Sequence, residues 1–284
     1  MYMAAILNMA AILNFATGDV SDREEEMRLE YFGKTDVGLK REKNEDSLLL
    51  SGKLNLYMVA DGMGGHVGGG LASRLAVQTV EEMVIQSRPE SLNAEDSKAL
   101  LQHAVGMASR RIFEKAAGEA KLQGMGTTAV ALFFRKNKVY IGNVGDSRAY
   151  RIRGNKLEQM TVDHSLVGEQ LRAGILKPKE AKEHRLKNII TRSVGFQSDV
   201  EVDTEVRMAK PGDFYLLCSD GLYNLVEDEE MLDIVTHQSL QNACQQLIDI
   251  ANSRGGDDNI TVVLVKVISL EEEETSEEES TVQC

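Results

Sequence analysis

The chain opens on an apolar repeat, MAAILNMAAILN at residues 3–14, and then stays polar up to Met27. No Lys or Arg precedes the repeat, the first being Arg23. The stretch is also shorter than the roughly 20 residues that cross a bilayer. Residues 1–26 are therefore read as a disordered or adventitious extension. From LEYFGKTDVG (29–38) the pattern becomes strand-like, and DSLLLS (46–51) and NLYMVAD (55–61) follow it between turn residues. Leu71, Ala72, Leu75, Ala76, Val80, Met83 and Val84 then recur at helical spacing, and a second helix is predicted across 94–117. Strands return in TTAVALFF, KVYIGNVG and SRAYRIR, with RKNK and RGNK as turns. Leu240, Cys244, Leu247, Ile248 and Ala251 mark a late helix, and NITVVLVKV (259–267) a buried last strand. Strands in runs and helices in pairs predict an α+β fold with antiparallel sheets. Residues 164–190 are polar enough to form a mobile surface flap, with Asp163 as a candidate cap for the helix that opens it.

Composition narrows the reading. The 284 residues contain only three prolines and no linker-like segment in the middle, which favours one domain, over 27–268. The net charge of −13 argues against nucleic acid or an anionic membrane as the main partner. Part of that charge sits in EEEETSEEES (271–280), so 269–284 is read as an acidic disordered tail. Cys218, Cys244 and Cys284 form no CxxC pair and no even framework, which suits a reducing cytoplasm.

Candidate chemistry begins at YMVADGMGGHVGGGLA (57–72), where six glycines follow Asp61 within nine residues. Such density implies close backbone approach, read here as a loop passing near a substrate phosphate. A dinucleotide loop fails on spacing, because G-x-G-x-x-G counted from Gly62 meets Val67, and no G-K-[ST] follows. Asp61 also ends an apolar run. So do Asp146 in GNVGDSR and Asp220 in FYLLCSDGL, while Asp257 and Asp258 precede the last strand and Glu45 and Asp46 precede SLLL. One Asp-Gly pair alone is more often a turn than a ligand. Several strand-end carboxylates converging on one sheet edge would repel unless cations neutralise them, and oxygen ligands select hard ions such as Mg²⁺ or Mn²⁺.

Taken in order, REKNED, VADGMGGH, GMGTTAV, VGDSRAY, DHSLV, ITRSVG, LLCSDGL and DDNITVVLV resemble the metal-dependent protein phosphatases of type 2C, in particular their bacterial branch, from about Tyr31 to Val267. The resemblance implies a four-layer α/β/β/α sandwich of two antiparallel sheets with helices on both outer faces, hydrolysing phosphoserine and phosphothreonine in proteins. It implies two or three Mn²⁺ or Mg²⁺ ions. Asp61 would bridge two of them, with the Gly62 carbonyl on one; Asp220 and Asp258 would complete the second site, and Asp146 with Asp220 the third. Glu45 and Asp46 would sit around metal-bound waters, and Arg41 would clamp the phosphate. Many eukaryotic members carry a His directly after the bridging Asp-Gly as proposed general acid. Met63 stands there in this chain, so His66 is the candidate proton donor, with loop-holding as its other reading, and His164 is read as structural. Without the resemblance, Arg41 among Lys40 and Lys43 reads as solvated surface. Cys218 lacks the C-x5-R context of cysteine phosphatases and reads as a buried strand thiol.

The implied partners are phosphorylated proteins and a cognate Ser/Thr kinase. The alternatives are a pseudophosphatase that binds without metals, a partner-switching enzyme acting on an anti-sigma antagonist, and a two-metal phosphodiesterase or nuclease. Asp61, Asp146, Asp220 and Asp258 are all present, which weighs against the first.

Overall fold

The computed structural model describes residues 27–89, 92–177, 180–181 and 184–270. The expectations for the N-terminal extension and for most of the acidic tail lie outside these residues. Twelve strands, all paired antiparallel, build two five-stranded sheets and one small ribbon. The first sheet has the order β1 (Arg28–Asp36), β12 (Ile260–Ser269), β11 (Phe214–Cys218), β8 (Arg148–Arg153), β9 (Lys156–Gln159). The second runs β10 (Asp203–Met208), β7 (Lys138–Val144), β6 (Ala129–Arg135), β3 (Leu56–Ala60), β2 (Ser47–Ser51). Gly62–Met63 (β4) and Gly126–Thr127 (β5) form the ribbon.

The strands read as unbroken apolar runs because both of their faces are buried. Along β3, Leu56, Met58 and Ala60 face the helices α1 (Gly65–Gln86) and α2 (Ala94–Gly118), whereas Tyr57 and Val59 face the other sheet. Along β12, Ile260, Val262 and Leu264 meet the C-terminal helices, while Val263, Val265 and Val267 join the layer between the sheets. Those helices are α5 (Asp228–His237) and α6 (Leu240–Ser253). Three apolar layers, alternating by the period of two, thus hold the expected helix–sheet–sheet–helix stack together. At about 25 cal/mol per Å² of apolar surface removed from water, these layers dominate stability.

Two elements differ from the sequence reading. Helix α1 begins at Gly65, so Gly68, Gly69 and Gly70 lie in its first turns rather than in a loop. Helix α5 was not predicted, although Met231, Ile234 and Val235 share its buried face and Glu227 and Glu230 close a capping box. Among the described residues no helix is long and apolar enough to cross a membrane.

The registers sort the strand ends into two poles. Asp36, Ser47, Ala60, Ala129, Val144, Arg148, Asp203, Cys218 and Ile260 end or begin strands at one pole. The turns 52–55, 136–137, 154–155 and 209–213 lie at the other.

Candidate active site

At the first pole an open cavity of about 610 Å³ is lined by Arg41, Glu45, Asp61, Gly62, Asp146, Asp220, Asp258 and Asn259, with Asn188 and Ile190 of the flap at its edge. Strand β3 delivers Asp61, whose N–H donates to Thr128 Oγ1 (2.9 Å) and whose carbonyl accepts from Thr128 N–H and Thr127 Oγ1 (2.8 Å each). Asp146 stands in the β7–β8 turn after Gly145, which has φ +104°, a left-handed value that glycine adopts without strain. Asp220 opens the short helix α4 (Asp220–Tyr223) beyond β11, and Asp258 lies just before β12. The structure therefore brings the sequence-predicted carboxylates together. Asp257 does not line the cavity. His66 lies in the first turn of α1, and its side chain falls outside the described set.

The glycine cluster serves packing. A Cβ on Gly62 would lie 2.2 Å from the Gly69 carbonyl oxygen, and one on Gly69 would lie 2.7 Å from that of Gly62. Two backbones meet here with no room for a side chain, so the start of α1 is pressed against the residue after Asp61. Gly69→Ala is expected to lower unfolding stability by about 3 kcal/mol, the upper range for overpacking against unyielding backbone. Urea denaturation checks this, and an unchanged midpoint would show that the clasp yields.

Asp46 is buried beneath the cavity. Its Oδ2 accepts from Ser219 Oγ (2.8 Å) and Thr261 Oγ1 (2.6 Å), whereas Oδ1 is buried without a partner. Asp220 repeats the pattern: Oδ2 accepts from Asn224 Nδ2 (3.2 Å) and Oδ1 is orphaned. Buried acceptors without donors are costly, and two of them facing like charges mark a place for cations.

The protonation equilibria carry the same signature. Burial, and then the charges of Asp46, Asp220, Asp146 and Asp258, push Asp61 well above the carboxylate range. Asp220 is raised to about 8 by burial and then by Asp146, Asp258 and Asp46. Burial followed by the Asp163 charge raises Asp146 to about 7. Asp46 rises to about 6, mainly through burial, while the Thr261 and Ser219 hydroxyls hold it down. Arg41 meets the set directly: its Nη2 donates to Asp258 Oδ2 at 2.6 Å, with half of the arginine side chain exposed.

Among the described residues no three His, Cys, Asp or Glu side chains stand as a ready-made ligand cage. The donor set nevertheless fits hard divalent ions: all oxygen, mutually repelling, with two orphaned buried carboxylate atoms.

Several contributors escaped the sequence reading. Asn259 pins the loop that carries Arg41 and Glu45: its Nδ2 donates to the carbonyls of Val37 (2.9 Å) and Lys43 (3.0 Å), and its Oδ1 accepts from Glu45 N–H (2.7 Å). Only its place in DDNI could have signalled this. Ser219 and Thr261, which hold Asp46, looked like ordinary strand-end residues. Asp163 does not cap the flap helix α3 (Leu166–Arg172). Ser165 does, accepting from Gly168 N–H at 3.1 Å. Asp163 is taken by a bidentate pair with Arg148 (3.0 and 2.7 Å), which itself lies 3.6 Å over the Tyr223 ring. His164 is buried, its Nδ1 accepting from Gly145 N–H (3.1 Å) and its Nε2 facing Asp203 (3.0 Å). Burial holds it below the usual histidine value, so it is a neutral brace beside Asp146.

The flap is closed at its neck. Leu166 N–H donates to Ile189 O and Thr191 N–H to His164 O, both at 2.9 Å, flanking the Ser165–Ile190 bridge. Cys218 faces the helix layer, fully buried, and burial pushes its thiol far above its ordinary value.

A sequence profile of protein phosphatase 2C matches residues 33–260. The serine/threonine phosphatase stp of Listeria welshimeri is 43% identical over 237 residues, which cover 82% of this chain and 94% of that protein. The serine/threonine phosphatase PstP/Ppp of Mycobacterium tuberculosis superposes with a TM-score of 0.79 at 35% identity, covering 85% of this chain and 99% of the other. A catalytic domain of PstP in complex with two manganese ions gives a TM-score of 0.77 at 34% identity, covering 86% and 100%. With Asp61, Asp146, Asp220 and Asp258 gathered at one pole of a matching sandwich, the chain belongs to the protein phosphatase 2C family, in its bacterial serine/threonine phosphatase branch.

Proposed function

We infer that this chain is a metal-dependent phosphoserine/phosphothreonine protein phosphatase. The observation that carries the reading is the convergence of Asp61, Asp146, Asp220 and Asp258 in one cavity with Arg41 at its mouth. Its substrates are phosphorylated proteins. As a finer assignment, Asp61, the Gly62 carbonyl, Asp146, Asp220 and Asp258 are the groups that would hold two or three Mn²⁺ or Mg²⁺ ions. Bound ions of this kind acidify water and offset the charge that builds on the phosphoryl oxygens.

The remaining steps belong to the protein's own groups. Arg41 exchanges Asp258 for the phosphate, presenting a planar fork that orients two of its oxygens. Asp46, fixed by Ser219 and Thr261, keeps Oδ1 available to accept a hydrogen bond from the attacking water and aim it at phosphorus. Glu45, tied to Asn259 through its backbone, flanks the same space. His66 is assigned the proton that the leaving alkoxide needs. The attack is direct, since the sealed Cys218 offers no nucleophile.

The test is release of inorganic phosphate from a phosphothreonine peptide, first in chelator and then with Mn²⁺ or Mg²⁺. Turnover only with the ion is expected. Silence in folded, metal-loaded protein would overturn the reading in favour of a binding module. We assign substrate choice to the flap. Deleting 175–185 leaves the Ser165–Ile190 neck intact, so the expected result is an altered ranking of phosphopeptides with unchanged hydrolysis of a small aryl phosphate. Loss of both would mean that the segment supports the fold. A Ser/Thr kinase sharing these substrates is the natural partner. Two free, buried thiols support a reducing cytoplasmic setting.

A further inference from the structure

The pole opposite the carboxylates carries the reverse charge. Its four turns and their flanks present Lys53, Lys136, Lys138, Lys156 and Lys210, all exposed except the half-buried Lys138. None of the five makes an ion pair with a described residue. Most acids nearby are already engaged, buried Asp213 by Arg153 (2.6 Å), Glu158 by Arg151 (2.6 Å), and Glu205 by Arg207, which leaves Glu30 of β1 as a single exposed acid beside them. In a chain of net charge −13, this is a concentrated basic face with no internal counterpart.

The last described residues end at this same pole. Ser269 pairs with Arg28 at the end of β12, and Leu270 packs into the layer between the two sheets. The next 14 residues, 271–284, contain seven glutamates and no Lys or Arg. Strands lie about 4.8 Å apart and the sheets about 10 Å apart, so in the order β12-β11-β8 the 154–155 turn is about 10 Å from the exit point. Seven extended residues span about 23 Å, enough to reach every one of the five lysines.

We propose that residues 271–284 fold back across this pole and cover its lysines, as an intramolecular acidic mask. Each exposed ion pair is weak, but the tether holds the glutamates at an effective concentration in the millimolar range, and seven charges act together. The contact is electrostatic and disperses with salt. Its effect is to close a basic face to other anionic surfaces. The carboxylate cavity lies about 30 Å away, the length of the ten-residue β12, so hydrolysis of a small phosphate ester is unaffected by the mask.

The full chain supplies its own probe, because Cys218 and Cys244 are buried and Cys284 lies in the acidic segment. A nitroxide on Cys284 of ¹⁵N-labelled protein is expected to weaken the amide signals around Lys53, Lys136, Lys156 and Lys210 at least about twofold at low salt, and to lose this effect in about 1 M NaCl. Replacing the seven glutamates by glutamine should also abolish it. Salt-insensitive weakening, or weakening spread evenly over the surface, would overturn the proposal. So would signal loss that persists undiminished when spin-labelled unenriched chains are mixed with unlabelled ¹⁵N chains, since the occupant would then be a second copy.

Discussion

Asp61→Asn and Asp220→Asn are each expected to cut kcat on a phosphothreonine peptide by on the order of a thousandfold, and yet to make the metal-free protein more stable at pH 8. The two effects share one cause. Each carboxylate is buried against others of its kind, and the charge that would attract a divalent ion is a burden without one. Asparagine keeps the shape, and at 220 it can still accept from Asn224 Nδ2. For Asp220 the relief should reach about 2 kcal/mol or more, since each tenfold shift in proton affinity is worth about 1.4 kcal/mol. Thermal melts in chelator at pH 8, run beside the phosphate-release assay, measure both. A variant that is inactive but less stable than the parent would show that these side chains hold the fold rather than strain it.

The second large effect is a dependence of metal-free stability on pH that runs opposite to the ordinary carboxylate case. Asp46, Asp146 and Asp220 have folded values near 6, 7 and 8 against 3.8 for the free group, and Asp61 is displaced the same way. Between those limits the folded state binds more protons than the unfolded one, so stability falls as pH rises. For Asp46, Asp146 and Asp220 it is lost through the window from about 4 to about 8, and Asp61 adds a loss of the same sign. Divalent ions replace the protons, so saturating Mn²⁺ should flatten the profile and raise the melting temperature more at pH 8 than at pH 6. Melting curves across pH 6–9, with and without Mn²⁺, are the measurement. Metal-free stability that climbs over this range would mean that the carboxylates are not coupled as described.

What could be read from the sequence followed from strong periodic or compositional signals. Leu56–Ala60 and Ile260–Ser269 are buried on both faces, so their apolar runs announced strands. The aspartates ending those runs announced the site. The glycines after Asp61 were seen but misread: density signals close approach without saying to what, and the neighbour proved to be the first turns of a helix. The Asp163 cap failed for a related reason, because Arg148, fifteen positions away, claimed the side chain while Ser165 took the helix end. Asn259, Ser219 and Thr261 were invisible because their partners lie up to 222 residues distant, and no local pattern encodes such pairings.

The pairing of the first strand with the last has a temporal consequence. Strand β12 sits between β1 and β11, and the residues just before it supply Asp258 and the Asn259 anchor. While the chain is being made, the first sheet therefore lacks the strand that joins β1 to β11 until synthesis has passed Ser269, and the carboxylate cluster lacks a corner for as long. The helices α1 and α2 can collapse on the second sheet much earlier, but that half contributes no complete ion site. A nascent chain is thus incapable of removing phosphate until β12 has been made, and catalysis switches on in one late event, the insertion of a single strand.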